Sequence, residues 1–200
     1  MNSRKWVRMF LTTLLLGGVL TVISSFVIKA DAYQKVLDPF QLVELLGVLL
    51  FFIGLGFIFS VISQMGFFAY LTVNQFGLGV FRSLWIPIQV VLIAFALFDL
   101  VYFRYQATEN GSLLEYFLTA IALLIIGLLT AKRKAKETNA KAFIPALFFM
   151  VVVTTIEWVP ALRTQGHDYV LLMIIPLLAC NIYQVLLLHR LTANAKRKSA

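Results

Sequence analysis

An uncharged run of 37 residues, 45–81 (LLGVLLFFIGLGFIFSVISQMGFFAYLTVNQFGLGVF), decides the fold of this chain. A transmembrane helix needs about 20 consecutive apolar residues to cross the hydrocarbon core of a bilayer. This run is too long for one crossing and too short for two crossings joined by a loop. We expect one long helix to about Val73, followed by a short turn over residues 74–83 at the membrane surface. A re-entrant loop around Gly77 and Gly79 is the alternative.

The composition of the whole chain also indicates a membrane protein. Of its 200 residues, 61% are apolar and only 13% are charged, whereas soluble domains average about 45–50% apolar and 25% charged residues. A soluble domain of this size could not bury so much apolar surface. The composition therefore excludes a soluble enzyme, a disordered chain and a disulfide scaffold.

Six apolar stretches of suitable length are present, and none shows the alternating polarity of β-barrel strands. The sequence therefore predicts an all-α, polytopic integral membrane protein with six transmembrane helices in a single domain, residues 1–200. The predicted spans are residues 9–28, 45–73, 84–103, 113–131, 142–162 and 169–188.

The basic residues orient the predicted helices. Of the 17 Lys and Arg residues, 13 fall on the side that holds both termini, and the other side receives only Lys29, Lys35, Arg104 and Arg163. Because Lys and Arg concentrate in cytoplasmic loops, we expect both termini in the cytoplasm. The net charge of +8 is then a sign of topology, and nucleic-acid binding is not expected.

Two acids lie inside predicted spans, Asp99 and Glu157, and both are candidate functional residues because a charge in the bilayer is costly. Each lies within about two turns of the outer end of its helix. One hypothesis is a proton- or cation-sensing site made by the two acids. The alternative, which we favour, is an interfacial staple between the third and fifth helices, with Arg104, Arg163 and His167 available at the same level.

A second set of polar side chains falls in the inner half of the predicted bundle. Its members are Ser60, Ser63, Gln64, Gln89, Asn181 and Gln184. Spacings of three and four residues place those of the second helix on one face, and the same holds for the sixth helix. Such faces usually form hydrogen bonds between helices of one protein. The alternative is a polar surface on which a helix of another membrane protein docks.

Few residues remain for catalysis. Cys180 is the single cysteine, and His167 and His189 lie at opposite ends of the last predicted helix. The sequence contains no HExxH, GxSxG or Walker motif. We therefore expect no enzymatic activity, no metal and no cofactor. The basic segments 132–136 and 196–198 could hold anionic lipid, although membrane topology alone explains them.

Several stretches resemble a known family. They are Trp6-Val7-Arg8 with Leu11 to Leu15, FSVISQMGFFAYLTVNQFGLG (59–79), VLIAFALFDLVYFRY (91–105) and KAFIPALFFMVVVTTIEWVP (141–160). Together they resemble the KinB-signalling-pathway activation proteins of spore-forming bacilli over essentially the whole chain. The resemblance implies a six-span plasma-membrane protein that allows a membrane sensor histidine kinase to feed the phosphorelay of sporulation. It implies no enzymatic reaction and supplies no site residues.

Two other functions stay open at this stage. A small membrane transporter or substrate-capture subunit has a similar size, but it would need a polar cavity that reaches the middle of the bilayer. An assembly factor for the kinase would affect how much kinase reaches the membrane and not how active the kinase is. For an activator, we expect contact through helices or short loops, because almost no soluble mass is available. Our hypothesis is helix-to-helix docking in the membrane through the polar face of the inner half.

Overall fold

The computed structural model describes residues 3–38, 40–107, 113–162 and 167–196, and these residues form helices joined by short turns. The helices are α1 (Ser3–Ile28), α2 (Ala30–Leu37), α3 (Leu42–Phe81), α4 (Trp85–Ala107), α5 (Leu113–Glu137), α6 (Phe143–Phe148), α7 (Thr154–Leu162) and α8 (His167–Lys196). A π-helical segment, Phe149–Val153, joins α6 to α7 without a break. For the described residues, the predicted all-α class is confirmed.

Several helices have the length and hydropathy that a membrane crossing requires. The described chain contains five such stretches, Arg4–Ile28, Leu42–Tyr102, Leu113–Glu137, Ala140–Val159 and Asp168–His189. The second stretch has 61 residues, about three times the length of one crossing. It is divided where Arg82 adopts a φ of 48°, a value that residues other than glycine seldom adopt. A single turn of 3-10 helix, Arg82–Leu84, separates α3 from α4 there.

The predicted turn over residues 74–83 was too long. Helix α3 continues to Phe81, so the turn is confined to Arg82–Leu84, and residues 74–81 form no re-entrant loop. Gly77 lies within the helix, where the absence of a side chain allows close packing with α4. A Cβ atom at this position would overlap the indole ring of Trp85, so the glycine lets the first turn of α4 approach α3.

The centre of the bundle is built from the C-terminal half of the chain. The most apolar 18 residues of each stretch differ in how many are buried. In Ala140–Val159 and Asp168–His189, 56% and 50% of these residues are buried, whereas the share is 22–28% in the other three stretches. Helix α8 packs against α1, α3 and α7, and α6 packs against α4 and α5. The π-helical segment is mostly enclosed, with Phe149, Met150 and Val151 completely buried and Val152 partly buried. This central position keeps the polar groups on α7 and α8 inside the protein.

The connection between α1 and α3 contains the short helix α2, which the sequence did not predict. The hydroxyls of Tyr33 on α2 and Ser25 on α1 are hydrogen-bonded at 2.6 Å, and the Tyr33 ring stacks on Phe52 of α3. Beside it, Lys29 Nζ forms an ion pair with Asp168 Oδ2 at 2.8 Å. These contacts join the first connection to the beginning of α8.

Candidate functional site

A chain of buried hydrogen bonds links α3, α7 and α8 inside the bundle. Gln184 Nε2 donates to Ser63 Oγ at 3.0 Å, and Ser63 Oγ donates to Asn181 Oδ1 at 2.6 Å. Asn181 Nδ2 then donates to Thr154 Oγ1 at 3.0 Å and to Glu157 Oε2 at 2.6 Å. All five side chains are at least 94% buried. We call this group the buried polar chain.

The helical repeat explains why these residues meet. Asn181 and Gln184 lie three residues apart on α8, and Thr154 and Glu157 lie three apart on α7, so each pair shares one face of its helix. Ser63 reaches both α8 residues from the middle of α3. The buried polar chain therefore consists of the aligned polar positions of three apolar helices.

Ser60 and Gln64, the other two predicted polar residues of α3, face α1 instead. Ser60 Oγ donates to the backbone carbonyl of Thr13 at 3.2 Å and also lies 2.9 Å from the carbonyl of Gly56 in its own helix. Gln64 Nε2 donates to the backbone carbonyl of Phe10 at 3.5 Å. These bonds attach α1 to α3 directly beside the buried polar chain.

Glu157 has an unusual environment because only one of its carboxyl oxygens is paired. Oε2 accepts the hydrogen bond from Asn181, while Oε1 is buried and has no hydrogen-bond partner among the described residues. Oε1 points at the α carbon of Gly66 on α3, where a Cβ atom would overlap it. A side chain of any size at position 66 would therefore displace the carboxyl group.

The π-helical segment directly precedes the residues that α7 contributes. The segment ends at Val153, directly before Thr154. Thr155 Oγ1 donates back to the carbonyl of Val151 at 2.7 Å. Single-turn π-helical segments are rare and occur often at functional sites. Here the segment sets the rotation of Thr154 and Glu157 relative to the large buried side chains that come before them.

The structure does not bring the two candidate acids together. Asp99 on α4 is half-buried and makes no hydrogen bond or ion pair within the described part of the chain. Glu157 bonds with Asn181, not with Asp99. The side chains of Arg104, Arg163 and His167, which could complete a staple, lie outside the described residues. Of the two acids, only Glu157 belongs to the buried polar chain.

The six polar residues offered as a helix-docking surface lie inside the protein. Ser60, Ser63, Gln64, Gln89, Asn181 and Gln184 have at most 2% of their surface exposed. A docking surface for a helix of another protein would have to face outward. The geometry therefore favours the alternative in which these residues hold the helices of this chain together.

Gln89 belongs to a separate polar group at the α3–α4 turn. Gln89 Nε2 and Trp85 Nε1 both donate to Asn74 Oδ1, at 3.1 Å and 2.9 Å. Sequence reasoning missed Asn74 because it placed this residue in a surface turn. It also missed Gly66, although a glycine three residues after Ser63, on the same helical face, is a signal of close approach by a neighbouring helix.

Comparison with known proteins identifies the family. The family model named KbaA, described as KinB-signalling pathway activation in sporulation, matches residues 17–191. The chain belongs to the KbaA family. It is also 44% identical to the KinB-signaling pathway activation protein of Bacillus subtilis (strain 168), with 97% of this chain and 100% of that protein aligned. No solved structure matches the chain.

Membership of the KbaA family confirms the resemblance seen in the sequence. The family description indicates a role in activating a signalling pathway of sporulation. The residues of the buried polar chain all fall within the matched region, 17–191. The candidate site is therefore part of the region that defines the KbaA family.

Proposed function

We propose that this chain is a membrane-embedded activator of a KinB-type sensor histidine kinase pathway that leads to sporulation. Membership of the KbaA family is the observation that carries this proposal. The long apolar helices support the membrane location. In this role the chain is not an enzyme, and its partners are the lipid bilayer of the plasma membrane and the sensor kinase.

The proposed topology has six spans and two cytoplasmic termini. Division of the 61-residue stretch at Arg82 converts the five apolar stretches into six. The distribution of Lys and Arg then places both termini and the segment 132–141 in the cytoplasm. Single cysteines introduced at Lys35 and Lys136 test this arrangement in intact cells. A membrane-impermeant thiol reagent should label position 35 and not position 136; the reverse pattern would overturn the topology.

The activator must act through differential affinity. A partner shifts the equilibrium between two kinase states only by binding one state more tightly than the other. In this chain the residues of the buried polar chain bond with one another. Contact with the kinase would therefore use the outward-facing apolar surfaces of the helices and the short loops. The basic last turns of α5, at the proposed cytoplasmic end of the helix, are a further surface of this kind, with Lys132, Arg133 and Lys136 exposed.

Deletion of the gene in its own host tests the proposed function. We expect the kinase to remain in the membrane at unchanged abundance while phosphate transfer into the phosphorelay and sporulation fall. A constitutively active kinase variant should restore sporulation in the deletion strain. Loss of the kinase itself from the membrane would instead indicate an assembly factor. Normal phosphorelay activity without this protein would overturn the proposal.

A small transporter or substrate-capture subunit was the alternative function. The family description does not support it, and the residues of the buried polar chain bond with one another across helix contacts. Purification of the protein with a bound solute would revive this alternative. The activator function therefore stands ahead of it.

A further inference from the structure

Within the described part of the chain, no cationic side chain pairs with Glu157. No Lys or Arg occurs between Lys35 and Arg82, between Arg82 and Arg104, or between Arg163 and Arg190, so the parts of α3, α4 and α8 that face α7 contain none. A carboxylate buried without a cationic partner costs far more free energy than a buried neutral carboxyl group. Since no described side chain supplies a positive charge, the burial of Glu157 favours a charge supplied by a bound proton or a bound metal cation.

The other ionisable groups near α7 do not supply this charge. In the central parts of α8, α3 and α4, the helices packed against α7, the described ionisable residues are Cys180, Tyr183, Tyr70, Asp99 and Tyr102. Cysteine and tyrosine are neutral or negative, and an acid would only add repulsion. None of these side chains can compensate a carboxylate at position 157.

The geometry favours a proton over a metal cation. Alkali and alkaline-earth cations require several oxygen ligands around one point. The three atoms nearest to a Cβ atom built at Gly66 are two atoms of Glu157 and the methyl carbon Val153 Cγ1, so no second oxygen ligand is among them. Asn181 Nδ2 already donates to Oε2, so a proton on Oε1 completes a neutral carboxyl group whose carbonyl oxygen is paired.

We propose that Glu157 is a proton-binding site and that its protonated form holds α7 against α3 and α8. On release of the proton, the negative charge would lie against the backbone of Gly66 without a hydrogen-bond donor on Oε1. Rearrangement of the α3–α7 contact would then let water reach the carboxylate. The adjoining π-helical segment is the part of α7 best placed to change its winding. This proposal is independent of the proposed function.

Infrared spectroscopy of the full-length protein in lipid nanodiscs tests the proton directly. Glutamate labelled with ¹³C separates the Glu signals from those of Asp, and the described residues Glu44, Glu115 and Glu137 are exposed, unlike Glu157. We expect the C=O band of a protonated carboxyl group at about pH 7, where exposed glutamates are ionised. The band should decrease at alkaline pH and be absent from Glu157→Gln. Only carboxylate bands in the folded wild type at this pH would overturn the proposal.

Thermal unfolding against pH tests the coupling to packing. Between about pH 4.3, where an unfolded glutamate ionises, and the pH at which the folded protein releases the proton, the unfolding midpoint of the wild type should fall by about 3–5 °C per pH unit relative to Glu157→Gln. Asp99→Asn is the matched control and should follow the wild type. Parallel curves for Glu157→Gln and the wild type would overturn the coupling. If Glu157→Gln does not fold, the infrared measurement on labelled wild type still decides the presence of the proton.

Discussion

Asn181 Nδ2 on α8 donates a hydrogen bond to Glu157 Oε2 on α7 at 2.6 Å, and the same amide group accepts a bond from Ser63 on α3. One buried side chain thus connects three helices. In lipid, apolar helices gain little from hydrophobic association with each other, so packing and hydrogen bonds of this kind select their partners. Asn181 is therefore the central residue of the buried polar chain.

Replacement of Asn181 by Ala should destabilise the folded protein. The change removes the bonds to Ser63, Thr154 and Glu157 and leaves buried polar atoms without partners, so we expect a loss of about 2 kcal/mol. Unfolding in mixed micelles of increasing denaturing detergent measures it. Thr72→Ala is the control, because Thr72 is exposed and bonds only to the carbonyl of Phe68 in its own helix. Equal stability of the two variants would contradict the role of Asn181.

Replacement of Gly66 by Ala should destabilise the folded protein. The new Cβ atom would overlap Glu157 Oε1 and displace the carboxyl group from Asn181. We expect a loss of about 1–3 kcal/mol. Gly54→Ala in the same helix is the matched control, since a Cβ atom there meets nothing within 4 Å, and alanine favours a helix. A tolerated Gly66→Ala with a damaging Gly54→Ala would contradict the packing.

Asn74→Leu should weaken the α3–α4 turn. The substitution keeps a similar volume but leaves Trp85 Nε1 and Gln89 Nε2 without their shared acceptor. We expect a loss of about 1–3 kcal/mol, together with a change in tryptophan fluorescence as Trp85 loses its hydrogen bond. Asn74→Asp retains an acceptor oxygen and should preserve more of the native emission than Asn74→Leu. Indistinguishable spectra for both variants would show that the bonds at Asn74 are unimportant.

The ion pair between Lys29 and Asp168 predicts a pH dependence at alkaline pH. The hydrogen bond to Asp168 raises the pKa of Lys29 above its ordinary value of 10.5. The folded state thus holds this proton more tightly than the unfolded state. The stabilisation is complete below pH 10.5 and is lost as the pH rises through the higher folded-state pKa.

Lys29→Met should remove this alkaline dependence and cause only a small loss of stability at neutral pH, because an exposed ion pair contributes little. Thermal unfolding at neutral and alkaline pH provides the measurement. Lys35→Met, at an exposed position of α2, is the control and should retain the wild-type profile. The prediction fails if both variants behave alike in the alkaline range.

Periodicity predicted part of the candidate site and could not predict the rest. The polar positions 60, 63, 64, 181 and 184 were identified because a helix repeats every 3.6 residues. Their partners depend on how the helices rotate against each other, which no local pattern records. Asp99 and Glu157 look alike in the sequence, as single acids near the outer ends of apolar helices. Only the packing separates them, since Glu157 faces α8 and Asp99 bonds with no described residue.

The error at residues 74–83 has a similar origin. Two glycines and an asparagine are typical of a turn, but Gly77 packs under Trp85 and Asn74 accepts bonds from two residues of the next helix. These residues serve contacts that form only after the chain has reversed at Arg82. Local propensity therefore favoured a turn where tertiary contacts maintain a helix.

The sequence by itself determined the helical class, the apolar stretches and the family, because backbone groups in hydrocarbon must bond internally and long apolar runs leave few alternatives to a helix. Only the tertiary structure decided which polar groups meet. Hydrogen bonds act over about 3 Å, so the meeting of Ser63, Asn181 and Glu157 depends on the rotation and register of three helices. The buried carboxyl group of Glu157, against Gly66 and without a cation, is the product of that packing.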